Sequence, residues 1–231
     1  MGIKIPIIVY THTDMKDVWP MFFGQLNKYF SDTKIYVAVN EDDKQLSDYI
    51  RIIYDDSKLY TDRWKEILPQ IKEETIMFMH EDMILFDSPN FESIDKYIGY
   101  VNDGLANSIK MIFAGDAAIV SSFDNTLVRN EFAKFSVQPT IVKVETFKNI
   151  LNSLPSYNIW DFEQSITTNG DDFMVRVGSE KKRGIYHYDS LIFPYICTAI
   201  NKGRWNMSEY QSELDVLFMK YGIMPFERGI V

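Results

Sequence analysis

Apolar and polar positions divide the first ninety residues into alternating strand-like and helix-like blocks. Residues 3–10, IKIPIIVY, are dense in Ile and Val and predict a buried strand, with Pro6 marking a bend or an open neighbour. Asp14 or Asp17 can cap a helix to about residue 30, because Val18, Met21, Phe22, Leu26, Tyr29 and Phe30 recur at helical spacing. Residues 34–39 and 50–54 predict two more strands, and residues 62–72 a second helix. That helix leads into ETIMFMHEDMILFD, 74–87, where the apolar run 76–79 is cut by His80-Glu81-Asp82 before apolar residues resume. Strands and helices alternating through short links predict a parallel, doubly wound sheet.

After residue 90 the pattern is less regular. Helices are predicted over 91–101, over 145–154, from Trp160 to about 168, and over 208–221. Strands are predicted over 109–113, 117–121, 139–144, 183–187 and 191–193. No internal repeat, low-complexity tract or Ser/Gly/Pro linker interrupts the chain. The expectation is one α/β domain over 1–231, with a Rossmann-like, mostly parallel central sheet flanked by helices. A smaller mixed or antiparallel elaboration is expected in the second half, 91–231.

Polar residues at the strand ends bring in chemistry. Three of the first four strands end in acidic or amide residues: Asn40-Glu41-Asp42-Asp43, Asp55-Asp56 and His80-Glu81-Asp82. All fall on what a parallel sheet makes one edge, where open α/β folds place their ligands. Carboxylates there suit a hard divalent cation that also touches phosphate oxygens, and they equally suit a solvated acidic turn. The residues after the first strand are Thr11-His12-Thr13-Asp14, so neither the dinucleotide fingerprint nor the P-loop applies. Phosphate held without such a loop needs a cation or basic side chains, and Lys202-Gly203-Arg204 can supply the latter.

Composition narrows the classes. A 46% hydrophobic, 15% aromatic chain of 231 residues can bury a sizeable core, which excludes a disordered protein. A net charge of −9 argues against a nucleic-acid partner, though not against a single nucleotide. Cys197 is the only cysteine and sits in an apolar run, which excludes an intrachain disulfide and suits a reducing compartment. No apolar run reaches the ~18 residues of a membrane span, and the N-terminus lacks signal-peptide features, so a cytoplasmic protein with no transmembrane segment is expected. No Ser elbow flanked by glycines is present, and the three histidines, His12, His80 and His187, are not spaced like a zinc protease helix.

The order of elements, closing on His80-Glu81-Asp82, resembles the nucleotide-diphosphosugar glycosyltransferases of the GT-A type, in particular family 2-like members. Their Asp-x-Asp motif ends the fourth strand, and here His80 stands in the first Asp place and Asp82 in the last. Ser136-Val137-Gln138-Pro139-Thr140-Ile141, Trp160-Asp161-Phe162-Glu163 and Lys202-Gly203-Arg204-Trp205-Asn206 resemble successive later blocks of such proteins. The resemblance implies a GT-A-like fold with a nucleotide-binding half, 1–90, and an acceptor-side half, 91–231, that includes the C-terminal helix. It implies a UDP-, GDP- or TDP-sugar donor, a carbohydrate or glycolipid acceptor, and Mn²⁺ or Mg²⁺ at Asp82, with Glu81 and His187 as further ligands.

It further implies nucleotide contacts from Thr11, His12, Asn40, Asp42, Asp62, Arg63, His80 and Glu81, and phosphate contacts from Lys202 and Arg204. Ordinary turn, cap and core roles remain open for each of them. Inverting transfer needs a carboxylate to take the acceptor's proton, and Asp161 or Glu163 beside Trp160 fits that role. Both acids equally fit a first helical turn favoured by the macrodipole. Two rivals stand beside this reading: a non-catalytic GT-A-like binding protein, and a sugar-nucleotidyltransferase, which wants a Gly-rich basic loop after the first strand.

Overall fold

The computed structural model describes residues 2–114, 119–130, 137–165, 172–183 and 187–231. Strands β1 (Ile7–Tyr10), β2 (Ile35–Val39), β3 (Ile50–Ile53) and β4 (Thr75–His80) form the parallel half of an eight-stranded sheet, in the order β3-β2-β1-β4. Helices α1 (Trp19–Tyr29) and α2 (Tyr60–Ile67) make the crossovers. The first strand is shorter than its apolar run because Pro6 has no N–H to give; its carbonyl accepts from Met77 N at 3.0 Å. Helix α2 also ends early, passing into a 3-10 turn at Leu68–Gln70, since Pro69 cannot continue the α-helical ladder.

Beyond α3 (Phe91–Asn102) the apolar run at 109–113 divides: β5 (Ser108–Lys110) joins the large sheet and β6 (Phe113–Ala114) a small one. Strands β7 (Leu127–Arg129), β8 (Thr140–Lys143) and β9 (Asp172–Val175) complete the large sheet, whose order continues β4-β8-β5-β9-β7. β8 runs antiparallel to both β4 and β5, so the second half of the sheet is mixed. No strand is expected from the sequence at β7 or β9. Between β8 and β9 lie α4 (Val144–Asn152) and α5 (Ile159–Ser165). The predicted continuation of α5 to residue 168, the start of the predicted strand at 117–121 and Ser136 lie outside the described residues.

Strands β10 (Gly178–Arg183) and β11 (His187–Ser190) pair with β6 in a three-stranded antiparallel sheet. Residues 191–193 form a turn where a strand was expected, because Ser190 Oγ accepts the N–H groups of Ile192 and Phe193 at 3.2 and 3.0 Å. A tight hairpin of β12 (Ile200–Asn201) and β13 (Arg204–Trp205) precedes α6 (Met207–Tyr221) and α7 (Pro225–Arg228). The expected architecture is therefore the observed one: α/β, with a large central sheet, flanking helices and a small antiparallel elaboration. No described helix is long and apolar enough to cross a membrane.

Helix α6 packs on α1 at a glycine. A Cβ on Gly24 would collide with the Tyr221 ring. Tyr221 Oη and Lys220 Nζ donate to Gln25 Oε1 at 2.9 and 2.6 Å, and Gln25 Nε2 donates to the Leu85 carbonyl at 2.6 Å. Gly24→Ala is expected to destabilise the protein by about 1–3 kcal/mol through overpacking, read as a lower urea midpoint. Tyr221→Ala in the same chain should recover part of that loss.

Candidate active site

The site follows from the strand order. β2 lies on one side of β1 and β4 on the other, so the crossovers diverge at the carboxyl end of β1 and leave a crevice there. Tyr10 and His80, the last residues of β1 and β4, are register partners. The Tyr10 ring stacks on Tyr54 and His80 with centroids 5.0 and 5.1 Å apart, and His80 Nε2 lies 3.0 Å from Tyr60 Oη. Burial pushes the His80 imidazole down to about 3, so it stays neutral. His80 is a packed wall of the crevice.

That wall separates two clefts. The smaller, about 270 Å³, is lined by Tyr10, Thr11, His12, Tyr60, Arg63, Asn158 and Glu81. The larger, about 520 Å³, is lined by Asp82, Gln138, Trp160, Glu163, Thr198 and Lys202. His80 and Ile159 line both. β4 ends at His80, and Glu81 and Asp82 are the two central residues of a turn closed by Met83 N donating to the His80 carbonyl at 3.1 Å; Glu81 lines the small cleft and Asp82 the large one.

The acids are short of positive charge. Glu81 is buried, and its Oε2 has no hydrogen-bond partner. Burial, then the charge of Asp82, raises its proton affinity. Burial also raises that of Asp82, with a further push from Glu163. Glu163 accepts the backbone N–H of Val137, and burial lifts its carboxyl above the usual range although Lys110 opposes the shift. Among the described residues no three His, Cys, Asp or Glu side chains come together to hold a metal ion. Hard carboxylate oxygens with raised proton affinity fit a cation completed by a ligand's own oxygens, and do not fit one held by protein alone.

Several expected roles need correction. Glu81 and Asp82, though close enough for the Asp82 charge to act on Glu81, line different clefts. His187 sits on β11, where its Nε2 lies 2.6 Å from Tyr210 Oη, and it lines neither cleft. Arg63 lines the small cleft with each guanidinium nitrogen already engaged, on the Lys58 and Asp56 carbonyls, the Tyr10 hydroxyl and the Asp56 carboxylate. It braces the loop after β3, and so is not a free phosphate clamp. Asp62 pairs with Lys65, and Asp42 with Arg51; neither lines a cleft. Arg204 is exposed beside Gly229, away from the cleft that Lys202 lines. Asp161 is exposed and bonded to Asn158 Nδ2 at 2.7 Å, outside both clefts.

Other expectations are brought together. Thr11 is fully buried at the end of β1, and its hydroxyl accepts from Trp19 Nε1 at 2.7 Å. His12 Nε2 lies 3.2 Å from Asp56, which fixes the ring in the wall of the small cleft. Asn40 joins the edges of β1 and β2 by accepting from Thr13 N at 2.8 Å and donating to its hydroxyl at 3.0 Å. Trp160 is 73% exposed on the rim of the large cleft. Cys197 is buried with its thiol pushed up to about 12, and donates to Gln138 Oε1 at 3.1 Å, so it is no nucleophile.

Two polar residues went unnoticed in the sequence. Lys110 is 4% exposed on β5, its Nζ has no partner, and burial lowers it to about 8. A lysine inside the apolar run SIKMIF was the available signal. Arg228 had none, because its importance lies in contacts more than two hundred residues away in sequence.

No family model and no curated protein matches this sequence. Among solved structures, TarS from S. aureus aligns with 95% of this chain and 39% of its own, at 13% identity and a TM-score of 0.51. A cytidylyltransferase from Leptospira borgpetersenii serovar Hardjo-bovis aligns over 97% of this chain and 98% of its own, at 12% identity and a TM-score of 0.49. The bifunctional IspDF from Campylobacter jejuni aligns over 84% of this chain at 18% identity and a TM-score of 0.47. This chain spans 52% of that IspDF chain. At 13% identity the likeness to TarS is of fold alone, the α/β arrangement of a large central sheet with flanking helices described above.

Proposed function

We propose that this protein is a glycosyltransferase that moves a sugar from a nucleoside-diphosphate donor to an acceptor hydroxyl, with inversion and with a divalent cation, Mn²⁺ or Mg²⁺. The observation that carries this reading is the large cleft itself: Asp82 from the nucleotide half and Glu163 from α5 share it, while Asp161 stays outside. The nucleoside occupies the small cleft beside Tyr10 and Glu81, and the diphosphate and sugar pass His80 into the large one. Asp82 would hold the cation, which would supply positive charge to stabilise the leaving diphosphate. Lys202 adds a positive charge from the hairpin turn. Glu163, kept basic by burial, takes the proton from the acceptor hydroxyl as the new bond forms on the sugar face opposite the departing diphosphate. Trp160 on the rim supports the acceptor's apolar face. The acceptor is a carbohydrate or glycolipid.

A sugar-nucleotidyltransferase is disfavoured by the loop after β1, which contains no glycine, makes a 3-10 turn at Thr13–Met15, and has its one lysine, Lys16, paired with Asp43. Incubation with UDP-, GDP- and TDP-sugars and either metal tests the proposal. Release of a nucleoside diphosphate, with product NMR showing the inverted anomeric configuration, is the expected outcome. Binding of nucleotide with no turnover across acceptors would instead make this a non-catalytic relative, and release of pyrophosphate from a nucleoside triphosphate would make it a nucleotidyltransferase.

A further inference from the structure

The hairpin that carries Lys202 is too small to hold its own position. β12 and β13 have two residues each, paired Ile200↔Trp205 and Asn201↔Arg204, and so short a hairpin is marginal without bracing. Its turn is Lys202-Gly203, with φ of 50° and 79°, a left-handed pair that a two-residue hairpin loop requires. One brace comes from the site: Ala199 N donates to the Asp82 carbonyl at 2.8 Å.

The other brace is the segment after α6. Trp205 N donates to the Gly229 carbonyl and Val231 N to the Trp205 carbonyl, both at 2.9 Å, so residues 229–231 lie along β13 as a further edge. Arg228, immediately before, is 13% exposed and spans two loops. Its Nε donates to Asp17 Oδ2 at 2.7 Å, and its Nη2 to Asp17 Oδ1 and to the Asp14 carbonyl, the latter at 2.9 Å. Its Nη1 reaches the Gly203 carbonyl at 3.4 Å. One planar guanidinium thereby ties the loop after β1 to the turn residue next to Lys202. Only a forked donor can do this, because a lysine ammonium has no fixed geometry with which to span both.

We propose that residues 225–231 form a clasp in which Arg228 is the positioning residue for Lys202, holding the hairpin turn at the depth where Lys202 meets a diphosphate. This inference rests on the reading of the large cleft as the diphosphate site. The clasp lines neither cleft, but the Arg228 charge also acts on Glu81, so the test must separate an effect that passes through Lys202 from one that does not.

A double-mutant cycle on the full chain tests it. Calorimetry with UDP, GDP and TDP in the presence of Mg²⁺ identifies the nucleoside diphosphate that binds best, and that ligand is used throughout. Lys202→Ala should weaken it about 10-fold, the loss expected of one charge-assisted contact. Arg228→Ala, and independently Asp17→Ala, should weaken it by a similar factor in the native background and by less than about 2-fold in the Lys202→Ala background. Arg228→Lys should recover less than half of the loss on a logarithmic scale. Thermal melts confirm that each variant is folded, and a purely structural role would give losses that multiply with that of Lys202→Ala. If Lys202→Ala weakens binding while Arg228→Ala has no effect or an independent one, the clasp is wrong and the diphosphate site stands. If Lys202→Ala leaves affinity unchanged, Lys202 is not at the diphosphate and the clasp falls with it.

Discussion

Glu163→Gln is expected to lower sugar transfer by roughly 10²–10⁴, the range of general-base assistance, with donor affinity unchanged. Asp161→Asn should stay within a few-fold of the native rate. The two acids are two residues apart on α5, about 200° around the helix axis, so they cannot share a face. Phe162 between them is fully buried, Glu163 lines the large cleft, and Asp161 is exposed and bonded to Asn158. The pH dependence follows with a definite sign. A base works when deprotonated, and burial holds the Glu163 carboxyl above its ordinary 4.5. kcat/KM should therefore fall as pH falls through that raised value, so the acid limb lies above 4.5. Lys110→Met removes the charge that opposes the shift and should move the limb further up. A Glu163→Gln enzyme with near-native transfer would return both acids to their role in the first turn of the helix.

The parallel half of the fold was legible because its strands are buried on both faces and its links are short. Ile7–Tyr10, Ile35–Val39 and Thr75–His80 are buried throughout and read as continuous apolar runs. The same pattern placed the acidic strand ends on one edge, which is why Thr11, His80 and Asp82 all lie at the crevice. Legibility ended where a side chain's direction or partners decide. The sequence could not say that the turn at 81–82 puts Glu81 and Asp82 in different clefts, since that depends on where β4 stops and the turn begins. Arg63 looked free because its partners, Tyr10, Asp56 and Lys58, come together only when β1, β3 and α2 pack. His187 is a metal-ligand candidate only through the resemblance, beside an equally open reading as a buried, satisfied histidine, and its contact with Tyr210 fits the latter. Physical spacing separates Asp161 from Glu163 by helix face, but which face turns to the cleft is set by Phe162 docking in the core.

Asp82→Asn is expected to make two changes of opposite value. First, it should abolish the metal dependence of nucleoside diphosphate binding and lower transfer by about 10²–10³, the loss typical of removing one stabiliser of developing negative charge. Calorimetry with and without Mn²⁺ reads the first effect, and matching affinities in the native protein with and without metal would remove the cation from the proposal. Second, in metal-free buffer at pH 8 the variant should be more stable than the native protein, by about 1 kcal/mol for relief of a partly buried, poorly compensated carboxylate. Burial and the nearby Glu163 charge hold the Asp82 carboxyl above its ordinary 3.8 in the folded state. The folded chain therefore binds the proton more tightly than the unfolded one, and native stability falls as pH rises through the folded value. The gain from Asp82→Asn should then be fullest at alkaline pH and shrink as the buffer is taken down toward 4. Stability sacrificed at one residue, and recovered there by an uncharged isostere that cannot bind a cation, is the pattern expected of a carboxylate kept for chemistry. An Asp82→Asn protein no more stable at pH 8 than at pH 4, relative to the native chain, would mean that solvent already screens this carboxylate and that the cleft holds no unmet negative charge.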